Sequence, residues 1–167
     1  MRKYMQENIV SPYKIMAIDD DAGILDSLKV VLNKSGYSLD CQTNPIDAIS
    51  KLKNEHYDLL LLDFIMDPIH GDKVVEEIRK FDPNIYILLL TGHKDLAPPM
   101  QTLKELDIQG YCEKSNNFSQ LLLLIESGLK SVDQMHVISD INDKLKDKND
   151  ELEKAYLETI GILRYTV

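Results

Sequence analysis

The sequence predicts a doubly wound α/β fold: a five-stranded parallel sheet with helices on both faces and a long C-terminal helix. Three observations predict it. Short apolar runs alternate five times with segments of helical period across roughly 115 residues. The runs are almost uninterrupted in hydrophobicity, which means strands buried on both faces, as in a parallel sheet. Acids and other polar residues follow the runs directly, at the edge where open α/β sheets bind ligands.

The strands are "KIMAI" (14–18), the weaker "YSLDC" (37–41), "YDLLLL" (57–62), "IYILLL" (85–90) and "IQGYC" (108–112). In "AGILDSLKVVLNKSG", Ile24, Leu25, Leu28, Val31 and Leu32 share one helical face, and Gly36 is the stop. "NPIDAISKLKNEH" places Asn44 as N-cap and Pro45 at the first helical position. "GDKVVEEIRKF" ends before Asp82-Pro83. A helix within 95–106 starts at Pro98-Pro99, and "NNFSQLLLLIESGLKSV" opens a fifth.

The 167 residues suit one domain with an appendage, and 44% hydrophobic with 28% charged content is that of a soluble globular chain. A net charge of −9 argues against nucleic acid as a partner of this segment. Cys41 and Cys112 have no metal spacing and read as free buried thiols of a reducing compartment. There is neither a signal-peptide pattern nor an apolar run of membrane-spanning length, so a cytoplasmic location without membrane contact is expected.

The chemistry lies at the strand ends. Asp19 and Asp20 end the first strand, and Asp63 ends the third, expected beside it. Three converging carboxylates raise one another's pKa unless a cation compensates. Hard oxygen ligands with room for water suit Mg²⁺, or Mn²⁺. Thr91 adds a hydroxyl after the fourth strand and Lys114 an ammonium after the fifth. Carboxylate, divalent cation, hydroxyl and ammonium are the parts that move a phosphoryl group onto an aspartate.

"IMAIDDDAGILDSLKVVL", "YDLLLLDFIMDPIHGDKVVEEIRK", "LLLTGH" and "GYCEKS" together resemble the receiver domains of two-component response regulators, over residues 13 to 131. The resemblance implies a flavodoxin-like sheet of order 2-1-3-4-5 and a histidine kinase as phosphoryl donor. It implies Asp63 as phospho-acceptor, with Mg²⁺ on Asp19, Asp20, Asp63 and the Ile65 backbone carbonyl. Thr91 becomes the switch hydroxyl, Lys114 the phosphoryl-contacting cation, and Tyr111 the aromatic that turns inward. Asp21 sits where an acid is common but need not touch the metal. A signalling domain rather than an enzyme is expected.

Three departures stand out. Asp67 occupies the usual proline position four residues after the acceptor, with Pro68 one later. Ser115 replaces the proline that usually follows the lysine in a cis bond. Ile65 and His93 hold the variable positions flanking the site, and apolar Ile65 is expected to hinder the hydrolytic water. His70 and His93 read as exposed loop residues without a metal role; His56 and His136 carry no signal.

Residues 1–12 read as an N-terminal extension and 132–167 as a signalling helix. With Met135 at a heptad a position, Asn142, Asn149, Tyr156 and Leu163 follow on a, and Ile138, Leu145, Leu152 and Thr159 on d. Leucine at d with asparagine at a is the pattern of a parallel two-stranded coiled coil, so a homodimer is expected, with a single amphipathic helix packed on the domain as alternative. "AYLETI" resembles the helix leading into HD-GYP-type cyclic-dinucleotide phosphodiesterase domains, and the apolar "YLETIGILRYTV" reads as a lead-in to an output domain.

Two other functions stay open. A haloacid-dehalogenase-like Mg²⁺ phosphatase also uses an Asp nucleophile, Thr and Lys, and Asp19-x-Asp21 mimics its first motif; Gly23 departs from it. A phosphate-independent dimerising pseudo-receiver would account for Asp67 and Ser115.

Overall fold

The computed structural model describes residues 11–92, 100–114 and 118–164, with side chains to residue 161. The expected extension up to residue 10, His93, Ser115 and the Leu163 side chain lie outside the described residues. The elements run β1 (Ile15–Ile18), α1 (Ala22–Lys34), β2 (Leu39–Gln42), α2 (Pro45–Leu52), β3 (Leu59–Asp63), α3 (Gly71–Arg79), β4 (Tyr86–Thr91), α4 (Met100–Glu105), β5 (Gly110–Glu113) and α5 (Phe118–Arg164). All strand pairings are parallel and the order is β2-β1-β3-β4-β5, as the sequence predicts.

Strand alternation divides the apolar residues between two cores. Met16, Ile18, Leu60, Leu62, Ile87 and Leu89 pack on one face against α2, α3 and α4, through residues such as Ile49, Val75 and Leu103. Ile15, Ala17, Leu59, Leu61, Leu88 and Leu90 pack on the other against Leu25, Leu28 and Leu32 of α1 and Leu121, Ile125 and Leu129 of α5. Leu59 to Leu62 are all fully buried. An apolar run without alternation is therefore a central strand serving both cores.

The local signals operate as expected. Asn44 Oδ1 accepts from the Ile46 amide at 2.9 Å, and Pro45 opens α2. Gly36 takes φ 86°, and the Tyr37 amide returns to the Leu32 carbonyl at 3.0 Å, closing the end of α1. Arg79 ties three segments together. Its Nη1 donates to the carbonyls of Asp82, Pro83 and Ile85 at 3.4, 3.1 and 2.9 Å, and its Nη2 to that of Asp107 at 2.8 Å. A cation there satisfies carbonyls that no backbone ladder reaches.

The fifth helix and the tail, read as separate segments, form one helix, Phe118–Arg164. No proline interrupts it, and the local sequence supplies no other strong stop. The chain divides into two compact units, 1–129 and 130–167. In the second, residues 133–159 are all exposed.

At the starts of the strands Asp40 Oδ2 accepts from Tyr57 Oη at 2.5 Å and from Lys51 Nζ. Burial pushes the Asp40 carboxyl up, but these two donors outweigh it and hold the group below its usual range. A depressed folded pKa contributes stability above the ordinary carboxylate value and loses it as pH falls through the folded value. Asp40→Asn should cost about 1–2 kcal/mol at pH 7, the low figure reflecting a pair about one-third exposed. Urea unfolding against pH should show the deficit closing below about pH 4.

Candidate functional site

The strand ends place the polar residues. Asp19 follows β1 and is fully buried, Asp63 is the last residue of β3 at 5% exposure, and Thr91 the last of β4 at 2%. These are the buried polar residues among those described. Parallel pairing of β1 with β3 sets Ile18 opposite Leu62, so the next residues, Asp19 and Asp63, emerge side by side. Asp20 is exposed, and one carboxylate oxygen each of Asp19, Asp20 and Asp63 lies within 4.8 Å of the other two.

Lys114, just past β5, spans the pair: its Nζ lies 2.7 Å from Asp19 Oδ2 and 2.7 Å from Asp63 Oδ2. Its amide also donates to the Thr91 carbonyl at 2.7 Å, fixing the β5 exit to the end of β4. Burial pushes the Asp19 carboxyl above its usual range even though Lys114 and the Asp21 amide pull it down. Burial alone would lower the Lys114 ammonium; its bonds to Asp19 and Asp63 reverse that and raise it. The site thus carries three carboxylates against one ammonium.

The third acid of the triplet has a separate task. Asp21 is the N-cap of α1: its Oδ1 accepts from the Gly23 amide at 2.8 Å and the Ile24 amide at 3.4 Å. The Asp21 amide in turn donates to Asp19 Oδ1 at 3.0 Å. One residue therefore starts the helix and orients the buried acid.

The loop after β3 completes the rim. The Ile65 amide donates to Asp63 Oδ1 at 3.3 Å, and the Ile65 side chain is 42% exposed. The Asp67 amide donates to Asp20 Oδ2 at 3.4 Å, a contact that a proline at this position lacks the N–H to make. The Asp67-Pro68 bond is cis. Met66 is buried beneath the loop. Gly71 was not singled out as a site residue. A Cβ there would stand 2.7 Å from the Asp63 carbonyl oxygen and 2.9 Å from the Phe64 Cα, so only glycine lets α3 begin so close to the acid. Its position at the head of a helix, eight residues after Asp63, was the available signal.

Tyr111 stands on β5 and is half exposed. His70 holds the N-cap position of α3 without a side-chain cap and is exposed. The structure thus brings Asp19, Asp20, Asp63 and Lys114 together, with Thr91 at the adjoining strand end, and leaves Tyr111 and Ile65 at the periphery.

This fold and constellation are shared with a known family of signalling domains. The model of the response regulator receiver domain matches residues 15–126, and the chain belongs to that family. It is 30% identical over 154 residues to the probable transcriptional regulator ycf27 of Porphyridium aerugineum, covering 92% of this chain and 59% of that one. A CheY-like receiver domain from Methanospirillum hungatei superposes with a TM-score of 0.68 at 25% identity, covering 75% of this chain and 99% of that one. TrrA of Thermotoga maritima, solved with Mg²⁺-BeF, gives 0.63 at 32% identity over 70% and 98% of the two chains. TrrA has also been solved in complex with the histidine kinase ThkA. The chain spans 59% of the length of the ycf27 regulator and 18% of that of another curated relative it matches. Membership selects the receiver reading over the haloacid-dehalogenase-like one.

Lys114→Met should leave two buried carboxylates facing each other and cost about 3 kcal/mol at pH 7. Asp19 has a raised folded pKa, so its ionisation opposes folding above the ordinary carboxylate range and ceases to as pH falls through the folded value. The variant's deficit in urea unfolding should therefore shrink on acidification. A deficit that does not change with pH would separate Lys114 from the acids energetically.

Proposed function

We propose that this receiver accepts a phosphoryl group on Asp63 from a phosphohistidine of a sensor histidine kinase, with Mg²⁺ (or Mn²⁺) at the acid cluster. The observation that carries the reading is the set of three carboxylates within 4.8 Å, two of them bridged by Lys114. The donor set fits a hard divalent cation. Three negative charges face one ammonium, one acid is open to solvent, and burial already penalises the charged form of Asp19. Asp19, Asp20, Asp63 and the Ile65 backbone carbonyl would hold it. When bound, the cation supplies positive charge for the phosphoryl oxygens.

The chain's own residues do the rest. An Asp63 oxygen attacks phosphorus in line; the phosphorus–nitrogen bond breaks, and its electron pair stays on the donor imidazole. Phosphorylation removes the carboxylate charge that Asp63 presents to Lys114. The ammonium, held by Asp19, then has the phosphoryl oxygens as its second partner. Thr91, on the neighbouring strand end, donates its hydroxyl to the phosphoryl group, and Tyr111 follows it inward from its half-exposed position. TrrA, solved both with Mg²⁺-BeF and with a histidine kinase, supports this chemistry and this class of donor.

We place the receiver at residues 13–131 in the cytoplasm, where the kinase's donor histidine resides; among the described residues no helix is long and apolar enough to cross a membrane. Residues 132–167 transmit the change as a homodimeric coiled coil, supported by the exposure of Ile138, Leu145 and Leu152 at 58%, 60% and 70%. The tail leads to an output domain, of HD-GYP type on the strength of "AYLETI".

Intact mass after incubation with a small phosphodonor and Mg²⁺ should show one added phosphoryl group, and none in Asp63→Asn. No addition to a folded, metal-supplied wild type would favour the pseudo-receiver reading, which Asp67 and Ser115 motivate. Ile65→Asn should lose its phosphoryl group several-fold faster than wild type, because a polar side chain at the exposed rim orients water where Ile65 excludes it. An unchanged half-life would remove Ile65 from the control of hydrolysis.

A further inference from the structure

The exposed tail contains a second seam beside the one already assigned. In the first, Met135, Asn142, Asn149, Tyr156 and Leu163 occupy a, and Ile138, Leu145, Leu152 and Thr159 occupy d. The same Ile138–Thr159 column also serves as the a series of an overlapping frame whose d series is Gln134, Ile141, Lys148, Ala155 and Ile162. Each frame has nine core positions, and six of the nine are apolar in both. Among the described residues of the two frames, Met135, Ile138, Ile141, Leu145, Leu152 and Tyr156 are 40–70% exposed.

Building on the dimer reading, we infer that the tail is a parallel, in-register homodimer with two alternative seams, and that the receiver selects between them through a rotation of each helix by about 50°. The occupant is a second copy of this chain. Parallel alignment sets Asn142 and Asn149 against their own counterparts, where paired amides satisfy each other; antiparallel alignment would face them with leucine. In the first frame Lys148 at g also meets Glu153 at e of the other copy, and the second frame has no such charge pair. The second frame instead buries Lys148 at d. The first seam is therefore the resting one, and the second gains Ile141 in place of an asparagine. α5 runs from Phe118 to Arg164 without interruption, so a turn imposed near its start reaches the tail.

Disulfide cross-linking of single-cysteine chains tests this, in a Cys41→Ala, Cys112→Ala background. Leu152→Cys lies in both seams and reports the dimer; Tyr156→Cys reports the first seam and Ala155→Cys the second. Lys148→Leu should raise the Ala155→Cys to Tyr156→Cys cross-linking ratio about tenfold, and Asn149→Leu should lower it, as an apolar replacement in one core favours that frame. Phosphodonor with Mg²⁺ should raise the ratio in the otherwise unmodified chain and leave it unchanged in Asp63→Asn. A ratio unmoved by either leucine substitution, with Leu152→Cys cross-linking, overturns the two-seam inference and leaves the dimer standing. A ratio that answers the substitutions but not the phosphodonor overturns selection by the receiver. Failure of Leu152→Cys to cross-link, with a monomeric sedimentation mass, removes the dimer and the inference with it.

Discussion

The ammonium of Lys114 between Asp19 and Asp63 is the interaction on which the rest of the structure depends. Three strands must end at the same level for it to form. β1 and β3 deliver the two buried acids side by side, and the Lys114 amide is fixed to the end of β4 through the Thr91 carbonyl. Without the bridge, two carboxylates would face each other away from water, which raises the cost of ionising both at neutral pH. One side chain thus compensates the charge and couples the β5 exit to the acid that we propose as phospho-acceptor.

The surroundings reinforce that geometry by local means. Asp21 caps α1 and orients Asp19 through its amide, so the acidic triplet divides its labour: one acid buried, one open to solvent, one engaged by a helix. Gly71 lets α3 start against the Asp63 carbonyl. The Asp67 amide holds Asp20, which turns a departure from the family pattern into a contact that proline cannot make. Beneath them Leu59 to Leu62 serve two cores at once, which leaves the strand end little freedom to shift.

The residues around the bridge have a different character. Tyr111 is half exposed on β5 and Ile65 lies at the rim, whereas Thr91 is buried. The tail separates in the same way. Its apolar column is exposed over residues 133–159.

The sequence by itself determined the fold class, the strand ends and the identity of the acids. Buried parallel strands must be apolar throughout, Asn44-Pro45 and Gly36 are local capping signals, and Asp63 directly follows its run, so neighbouring residues suffice to read them. The resemblance supplied the roles. The tertiary structure alone decided that Lys114 bridges Asp19 and Asp63, that Gly71 abuts the Asp63 backbone, and that Asp67 reaches Asp20. The tertiary structure also joined the fifth helix and the tail into one element. Each of these depends on groups brought together across strands, or on a boundary that no local stop signal marks. Charge-compensating contacts between residues 51 and 95 positions apart leave no periodic trace in a chain; only the packing of the sheet creates them.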